Sequence, residues 1–479
     1  MKRNLIASIA GTAVSGLVAV ALVPLYVHFL GIEAFGLIAF HTSVTVVVTL
    51  LDLGFGAAVN REVARRGSED ARGVVASVQP LYAAIALVAG AALFLLAPWM
   101  ATRWFSPRAL PPETVTTTLR LLAGAVALRF PYGLYAAALM GAQRHVPLNG
   151  VVVAAAALRT AAAVVLLAVL GADVRAVMAA ELVIAALQTL VAAALVYRFF
   201  PAAPAKTRLQ TLWLFARSAA VIGILSGLVS QVDKLVVSKV LPLATFGGYA
   251  VAVTIGAIVM TAMQPFHAAA FPRLTQLAAR GEHDGVVRLY GRATRTMSAI
   301  LFPLAVMAAF FMRELIAIWS GSRALADEIH LAAVLVVAGS ACYALTTLMY
   351  SLQLAHGWMT PSLVLNAAAL CVLVPVSAWS AVRYGAAGPA ATWLAVQAIV
   401  LAADSVATHG RLLPRYSWIR DVAPPLLASL AVAILARLAI DALRPASAML
   451  MAALLGMSGM VALGAAALTA MRGSSAASR

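Results

Sequence analysis

The chain has 479 residues, of which 63% are hydrophobic and 11% charged. A soluble protein carries about 25% charged residues, and this sequence has too little polar surface to cover a water-facing globule of its length. Lys and Arg number 34 against 17 Asp and Glu, for a net charge of +17; in a membrane protein such an excess is first a topology signal and needs no nucleic-acid partner.

A membrane-crossing helix needs about 20 mostly apolar residues. In chain order, apolar runs lie near 5–30, 34–58, 76–99, 116–139, 146–170 and 176–198. A second set lies near 213–238, 246–270, 296–319, 328–354, 361–383 and 388–409, and two more near 422–442 and 447–471. This predicts an all-α polytopic membrane protein of about fourteen helices. The run after Met1-Lys2-Arg3-Asn4 is too long for a signal peptide and reads as a retained first span. Cys342 and Cys371 lie inside apolar runs and read as core filler.

With the N-terminus placed in the cytoplasm, Lys2, Arg3, Arg61, Arg65, Arg66 and Arg72 fall inside. So do the basic groups at 273–295 and 411–420. About 20 basic residues then lie inside and about 7 outside, which predicts that both termini are cytoplasmic.

A short repeat marks the two halves. Leu30-Gly31-Ile32-Glu33-Ala34-Phe35-Gly36 precedes the second run, and Leu241-Pro242-Leu243-Ala244-Thr245-Phe246-Gly247 precedes the eighth. The copies are six spans apart, so the halves share one orientation. The expected organisation is a six-helix bundle over 1–211, a second over 212–421, and two further helices with a short tail over 422–479.

The motif Leu51-Asp52-Leu53-Gly54-Phe55-Gly56 is followed by Asn60-Arg61-Glu62-Val63-Ala64-Arg65. Together with Gln231-Val232-Asp233-Lys234-Leu235 and Phe246-Gly247-Gly248-Tyr249, it resembles the polysaccharide flippases, the O-antigen and exopolysaccharide repeat-unit transporters related to the multidrug and toxin extruders. The resemblance implies a bacterial inner-membrane protein. It would move an undecaprenyl-pyrophosphate-linked oligosaccharide from the cytoplasmic to the periplasmic leaflet by alternating access. Implied partners are that lipid-linked oligosaccharide, membrane lipids, and the polysaccharide polymerase and chain-length proteins. No cofactor is implied, and the coupling ion, H⁺ or Na⁺, stays open. The rival reading is a cation-coupled multidrug or small-solute exporter of the extruder class.

A pyrophosphate head group needs cations in a polar cavity, and the planar fork of arginine suits it. Arg129 and Arg159 both fall about 15–20 Å from the cytoplasmic ends of their spans. They are expected either to line a cavity at one level or to be paired locally, and Pro131 is expected to kink the helix beside Arg129. Lys234 is a further cavity candidate. Asp52, Arg61 and Asp233 are candidates for gating or coupling. Asp52 has a second reading as a helix cap or breaker before Gly54 and Gly56. An internal Asp233–Lys234 ion pair is not expected, because neighbouring helix residues do not face one another. Glu181 and Asp404 are read as solvated near helix ends, with proton or Na⁺ binding as the alternative. Gln188 and Gln353 are read as glycan or interhelical hydrogen-bonding groups. No nucleotide-binding loop, nucleophile elbow or metal-binding spacing occurs, so neither catalysis nor a metal is expected.

Overall fold

The computed structural model describes Gly16, Val18 and residues 20–67, 70–201, 209–414, 416–443 and 448–476. The described residues form helices and connecting turns, with no strand. The chain divides into two compact units, Met1–Ala250 and Val251–Arg479.

Unit 1 begins with α1 (Val20–Leu30), α2 (Ile32–Thr49), α3 (Phe55–Arg66), α4 (Ala71–Trp99) and α5 (Pro112–Arg129). It continues with α6 (Tyr132–Gly141), α7 (His145–Val164), α8 (Val174–Phe199) and α9 (Leu209–Val240). Helix α10 (Leu243–Ala279) starts in unit 1 and ends in unit 2. Unit 2 then holds α11 (His283–Phe310), α12 (Met312–Ser320), α13 (Arg323–Ala355), α14 (Thr360–Tyr384), α15 (Ala387–Leu412), α16 (Ile419–Leu443) and α17 (Ala448–Ala476).

Among the described residues, 12 helical segments are long and apolar enough to cross a membrane. They match twelve of the fourteen expected runs. Of the other two, the run near 5–30 falls partly outside the described residues, where α1 occupies its described part, and the run near 213–238 is the 32-residue α9. The surface is that of a lipid-solvated protein, since Leu95, Val382 and Val406 are 76%, 77% and 78% exposed. Large apolar side chains at such exposure are stable against hydrocarbon and costly against water. Cys371 is also exposed and Cys342 half-buried, so Cys371 is not core filler; in a lipid-facing helix an apolar run does not imply burial.

Local chemistry places the breaks. Pro131 cannot donate a backbone hydrogen bond, and the fourth expected span is interrupted there: α5 stops at Arg129 and α6 starts at Tyr132. Asp173 caps α8 by accepting from the amides of Arg175 and Ala176. The buried Glu33 carboxylate gathers three amides, those of Arg108, Ala109 and Leu110, at 2.8–3.0 Å. A core of Leu167, Val177 and Met178 packs with Leu25, Tyr26, Leu30, Ile38 and Leu121. It fixes α1 and α2 against α5 and α8.

The two copies of the repeat meet. A Cβ on Gly36 would lie 3.1 Å from the Leu243 carbonyl oxygen, and a Cβ on Gly247 would lie 2.1 Å from that of Ile32. Ile32 and Leu243 occupy the same position in their respective copies, as do Gly36 and Gly247, so the contact is reciprocal. At Gly247 only glycine admits so close an approach of two backbones, and at Gly36 a Cβ would fit only tightly.

Candidate functional site

Two membrane-embedded arginines of unit 1, Arg129 and Arg159, converge on Glu181. Helix α8 carries Glu181 and Gln188 seven residues apart, two turns along one face. Arg159 on α7 donates from Nε to Glu181 Oε2 at 2.7 Å and from Nη2 to Oε1 at 3.0 Å, a bidentate pair. The same Nη2 lies 3.3 Å from Gln188 Oε1. Arg129, the last residue of α5, reaches Glu181 Oε1 with Nη1 at 3.4 Å. His41 on α2 places Nε2 3.9 Å from that oxygen. Its ring is buried, and Nδ1 finds no hydrogen-bond partner among the described residues.

Two guanidiniums share one carboxylate, so the cluster keeps a net positive charge when His41 is neutral. The side chains of Arg129 and Arg159 are 32% and 23% exposed, against 13% for Glu181. The arginines are therefore the accessible face of the cluster and the carboxylate its floor. Cations inside spans cost at least a few kcal/mol unless a partner or a polar cavity receives them. Here Glu181 is that partner. The arrangement can hold an anion that takes over the fork of Arg159 and the tip of Arg129.

The other candidates form separate groups. Helix α2 ends in a 3-10 turn, Leu50–Asp52, and Leu53 and Gly54 follow with φ of 49° and 79°. The Asp52 carboxylate accepts from the Gly56 amide at 3.0 Å and from the Tyr82 hydroxyl. It thus caps the start of α3 and ties it to α4. A Cβ on Gly54 would sit 2.4 Å from the Ala216 carbonyl oxygen, so α9 crosses directly over this break. Arg61 lies exposed on α3. Asp233 is buried, accepts from the Tyr249 hydroxyl at 2.6 Å, and has Lys234 Nζ 3.2 Å from Oδ1. The absence of an Asp233–Lys234 pair is therefore corrected. The long lysine stem folds back to donate to the Ser230 carbonyl one turn earlier, and this swings Nζ beside the adjacent carboxylate.

Glu181 and Asp404 also depart from their expected solvation. Glu181 is the hub just described. Asp404 on α15 is buried and takes Gln353 Nε2 of α13 at 2.5 Å and Thr408 Oγ1 at 3.0 Å. Ser362 on α14 donates to Gln353 Oε1 at 2.6 Å, completing a three-helix polar link in unit 2. Gln188 and Gln353 both serve interhelical contacts. His41 and Tyr82 do not stand out in the sequence, and Tyr249 enters there only as the end of the Phe246–Tyr249 motif. The one available signal was the seven-residue spacing of Glu181 and Gln188, which puts two polar groups on one face of an apolar helix.

A sequence profile for a family described as polysaccharide biosynthesis protein matches residues 26–325. No curated protein matches the sequence. Among solved structures, lipid II flippase MurJ in an inward closed conformation is similar with a TM-score of 0.74 at 10% identity, over 96% of this chain and 98% of that one. An inward-facing multidrug resistance MATE family transporter of the MOP superfamily gives 0.68 at 15% identity, over 84% and 96%. A MOP superfamily transporter from Pyrococcus furiosus, described by the reverse polarity of its binding pocket, gives 0.59 at 17% identity, over 86% and 94%. At these identities the likeness establishes the fold, which is the all-helical one expected from the runs.

Proposed function

The chain belongs to the polysaccharide biosynthesis protein family, whose profile covers more than half of it, and on that premise we propose that it is a flippase for a lipid-linked oligosaccharide. The cargo is an undecaprenyl-pyrophosphate-linked repeat unit, carried by alternating access from the cytoplasmic to the periplasmic leaflet of a bacterial inner membrane. The observation that carries this reading is the meeting of Arg129 and Arg159 on Glu181 within apolar helices. In the loaded state the diphosphate takes the place of the carboxylate on the Arg159 fork and engages Arg129. Gln188 is then placed to meet a sugar hydroxyl. When the cargo leaves, Glu181 returns to the guanidiniums, so they are never left unpaired in a low-dielectric site.

This exchange gives the empty carrier a stable state and the loaded one a comparable state, as a transporter that must release its cargo requires. The polyprenyl tail needs no protein pocket, because it can stay in the bilayer while the head group crosses. A cation-coupled drug exporter would instead present an open carboxylate to a cationic drug, and Glu181 is already engaged by two arginines. Lys234 lines the route as a third cation, Asp52, Arg61 and Asp233 act at its gates, and the polysaccharide polymerase and chain-length proteins take the product onward.

The test is complementation of a flippase-deficient bacterial host. Deleting the protein from its own cell is expected to trap the lipid-linked oligosaccharide in the cytoplasmic leaflet. Arg129→Ala and Arg159→Ala, expressed at normal levels, are expected to lose export. Full export by both variants overturns the cavity assignment, and efflux of cationic dyes with no oligosaccharide accumulation favours the rival.

A further inference from the structure

Unit 2 contains a cavity of about 290 Å³ between α11, α16 and α17. Helix α11 contributes Arg295, α16 contributes Arg420 and Asp421, and Thr469 and Ala470 of α17 close the far wall. Pro424 and Pro425 form an apolar floor. Two guanidiniums and one carboxylate leave the lining with a net charge of +1. We propose that this cavity is a binding site for the head group of an anionic phospholipid, with the acyl chains lying along α16 and α17.

The carboxylate is already committed. Asp421 accepts from the Tyr416 hydroxyl at 2.6 Å and faces Arg295 Nε at 3.5 Å. Gly291, one turn before Arg295, lets α11 approach, since a Cβ there would lie 3.1 Å from Asp421 Oδ2. Asp421 therefore holds Arg295 in the wall, and Arg420 stands exposed at the mouth. Arg288, Arg292 and Arg295 follow one another at four and three residues along α11, a basic stripe leading to the cavity.

Three features select a lipid over a soluble anion. The floor is apolar, and on the far wall the Thr469 hydroxyl is spent on the Ala466 carbonyl of its own helix. The helices that flank the cavity expose Leu427, Leu435, Leu438, Leu468 and Met471, apolar side chains that acyl chains can lie against. The volume falls just under the roughly 300–1,000 Å³ of small-ligand sites, which fits a glycerophosphate group and excludes the tails. Arg420 lies at the start of its helix and Thr469 near the end of the next, at the face the charge asymmetry assigns to the cytoplasm. Basic pockets between helices at that level are where anionic head groups are held. The inference concerns unit 2 alone and does not depend on what the Glu181 cluster carries.

The test is native mass spectrometry of the full chain in detergent, titrated with dioleoylphosphatidylglycerol or dioleoylphosphatidylcholine. Wild type is expected to retain one phosphatidylglycerol in preference to phosphatidylcholine. Arg295→Gln and Arg420→Gln are each expected to lower that occupancy about fivefold. Thr469→Trp, which fills the cavity and keeps every charge, is expected to abolish it. Arg295 also pairs with Asp421, so a misfolded Arg295 variant leaves Arg420→Gln and Thr469→Trp to decide. Equal retention of the two lipids, or unchanged retention in those two variants, overturns the proposal. So does displacement of the lipid by inorganic diphosphate, which would mark a soluble-anion site, or preferential retention of undecaprenyl diphosphate, which would mark a cargo site.

Discussion

Replacing Glu181 by glutamine removes the negative charge from between Arg129 and Arg159 while keeping an oxygen to accept from Arg159. If the carboxylate and the cargo diphosphate compete for the same guanidiniums, the variant binds diphosphate more tightly. An anion that has taken the Arg159 fork lies about 6 Å from the displaced Glu181 carboxylate, and at an effective dielectric of about 20 the repulsion is about 3 kcal/mol. The arginine side chains are 32% and 23% exposed, so screening reduces this to about half, or about tenfold in affinity. Undecaprenyl diphosphate binding to the protein in nanodiscs measures the affinity, and complementation measures export. The expected result is tighter binding with slower export, because release now leaves two cations without their carboxylate. Affinity unchanged within about twofold in a folded variant would refute competition and reduce Glu181 to a structural counter-ion.

Glu181→Ala removes the hydrogen bonds as well, and is expected to lower the melting temperature in detergent more than Glu181→Gln does, the two buried cations costing about 1–3 kcal/mol. Gly247→Ala forces a Cβ against the Ile32 carbonyl and is expected to cost about 1–3 kcal/mol, read as a fall in melting temperature; Gly223→Ala, where a Cβ meets nothing within 4 Å, is the control. Tyr82→Phe takes one donor from the Asp52 cap and is expected to cost about 1 kcal/mol by the same assay. Glu62, at the end of α3, is held below the usual carboxylate range by its hydrogen bonds from Arg65 and Arg66. Its contribution is present above the unfolded value of about 4.3 and is lost as pH falls through the lower folded value, so Glu62→Gln is expected to blunt acid sensitivity below about pH 4. Cysteine labelling of the 273–295 segment from the cytoplasmic side checks the proposed orientation; labelling only from outside overturns it.

The spans were readable because hydrocarbon imposes one demand, about 20 apolar residues, that leaves its mark on every helix. The break at Pro131 was readable for a similarly local reason, the missing amide hydrogen. What could not be read was who meets whom. Arg129, Arg159 and Glu181 come from three helices, and their sequence separations say nothing of a shared centre. Glu181 looked like a residue near a helix end because its place in α8 was counted from the membrane edge; its neighbours on α5 and α7 decided otherwise. The Asp233–Lys234 pair escaped a rule about Cβ directions, because a lysine stem is long enough to bend around it. Asp52 shows the reverse case. Leu53-Gly54 already announced a helix break, and the cap was its ordinary companion.

The reciprocal contact of Gly36 and Gly247 has a consequence for how this sequence can change. Each glycine is confined by a carbonyl from the other copy of the motif, so the contact behaves as a homodimer interface carried inside one chain. In a true homodimer one substitution alters both sides at once; here the two sides mutate separately. A larger residue at either glycine meets an unchanged partner backbone and gains nothing from symmetry. The glycines are therefore bound to each other as paired positions, while Ala34 and Thr245, which share one position of the motif, already differ between the copies.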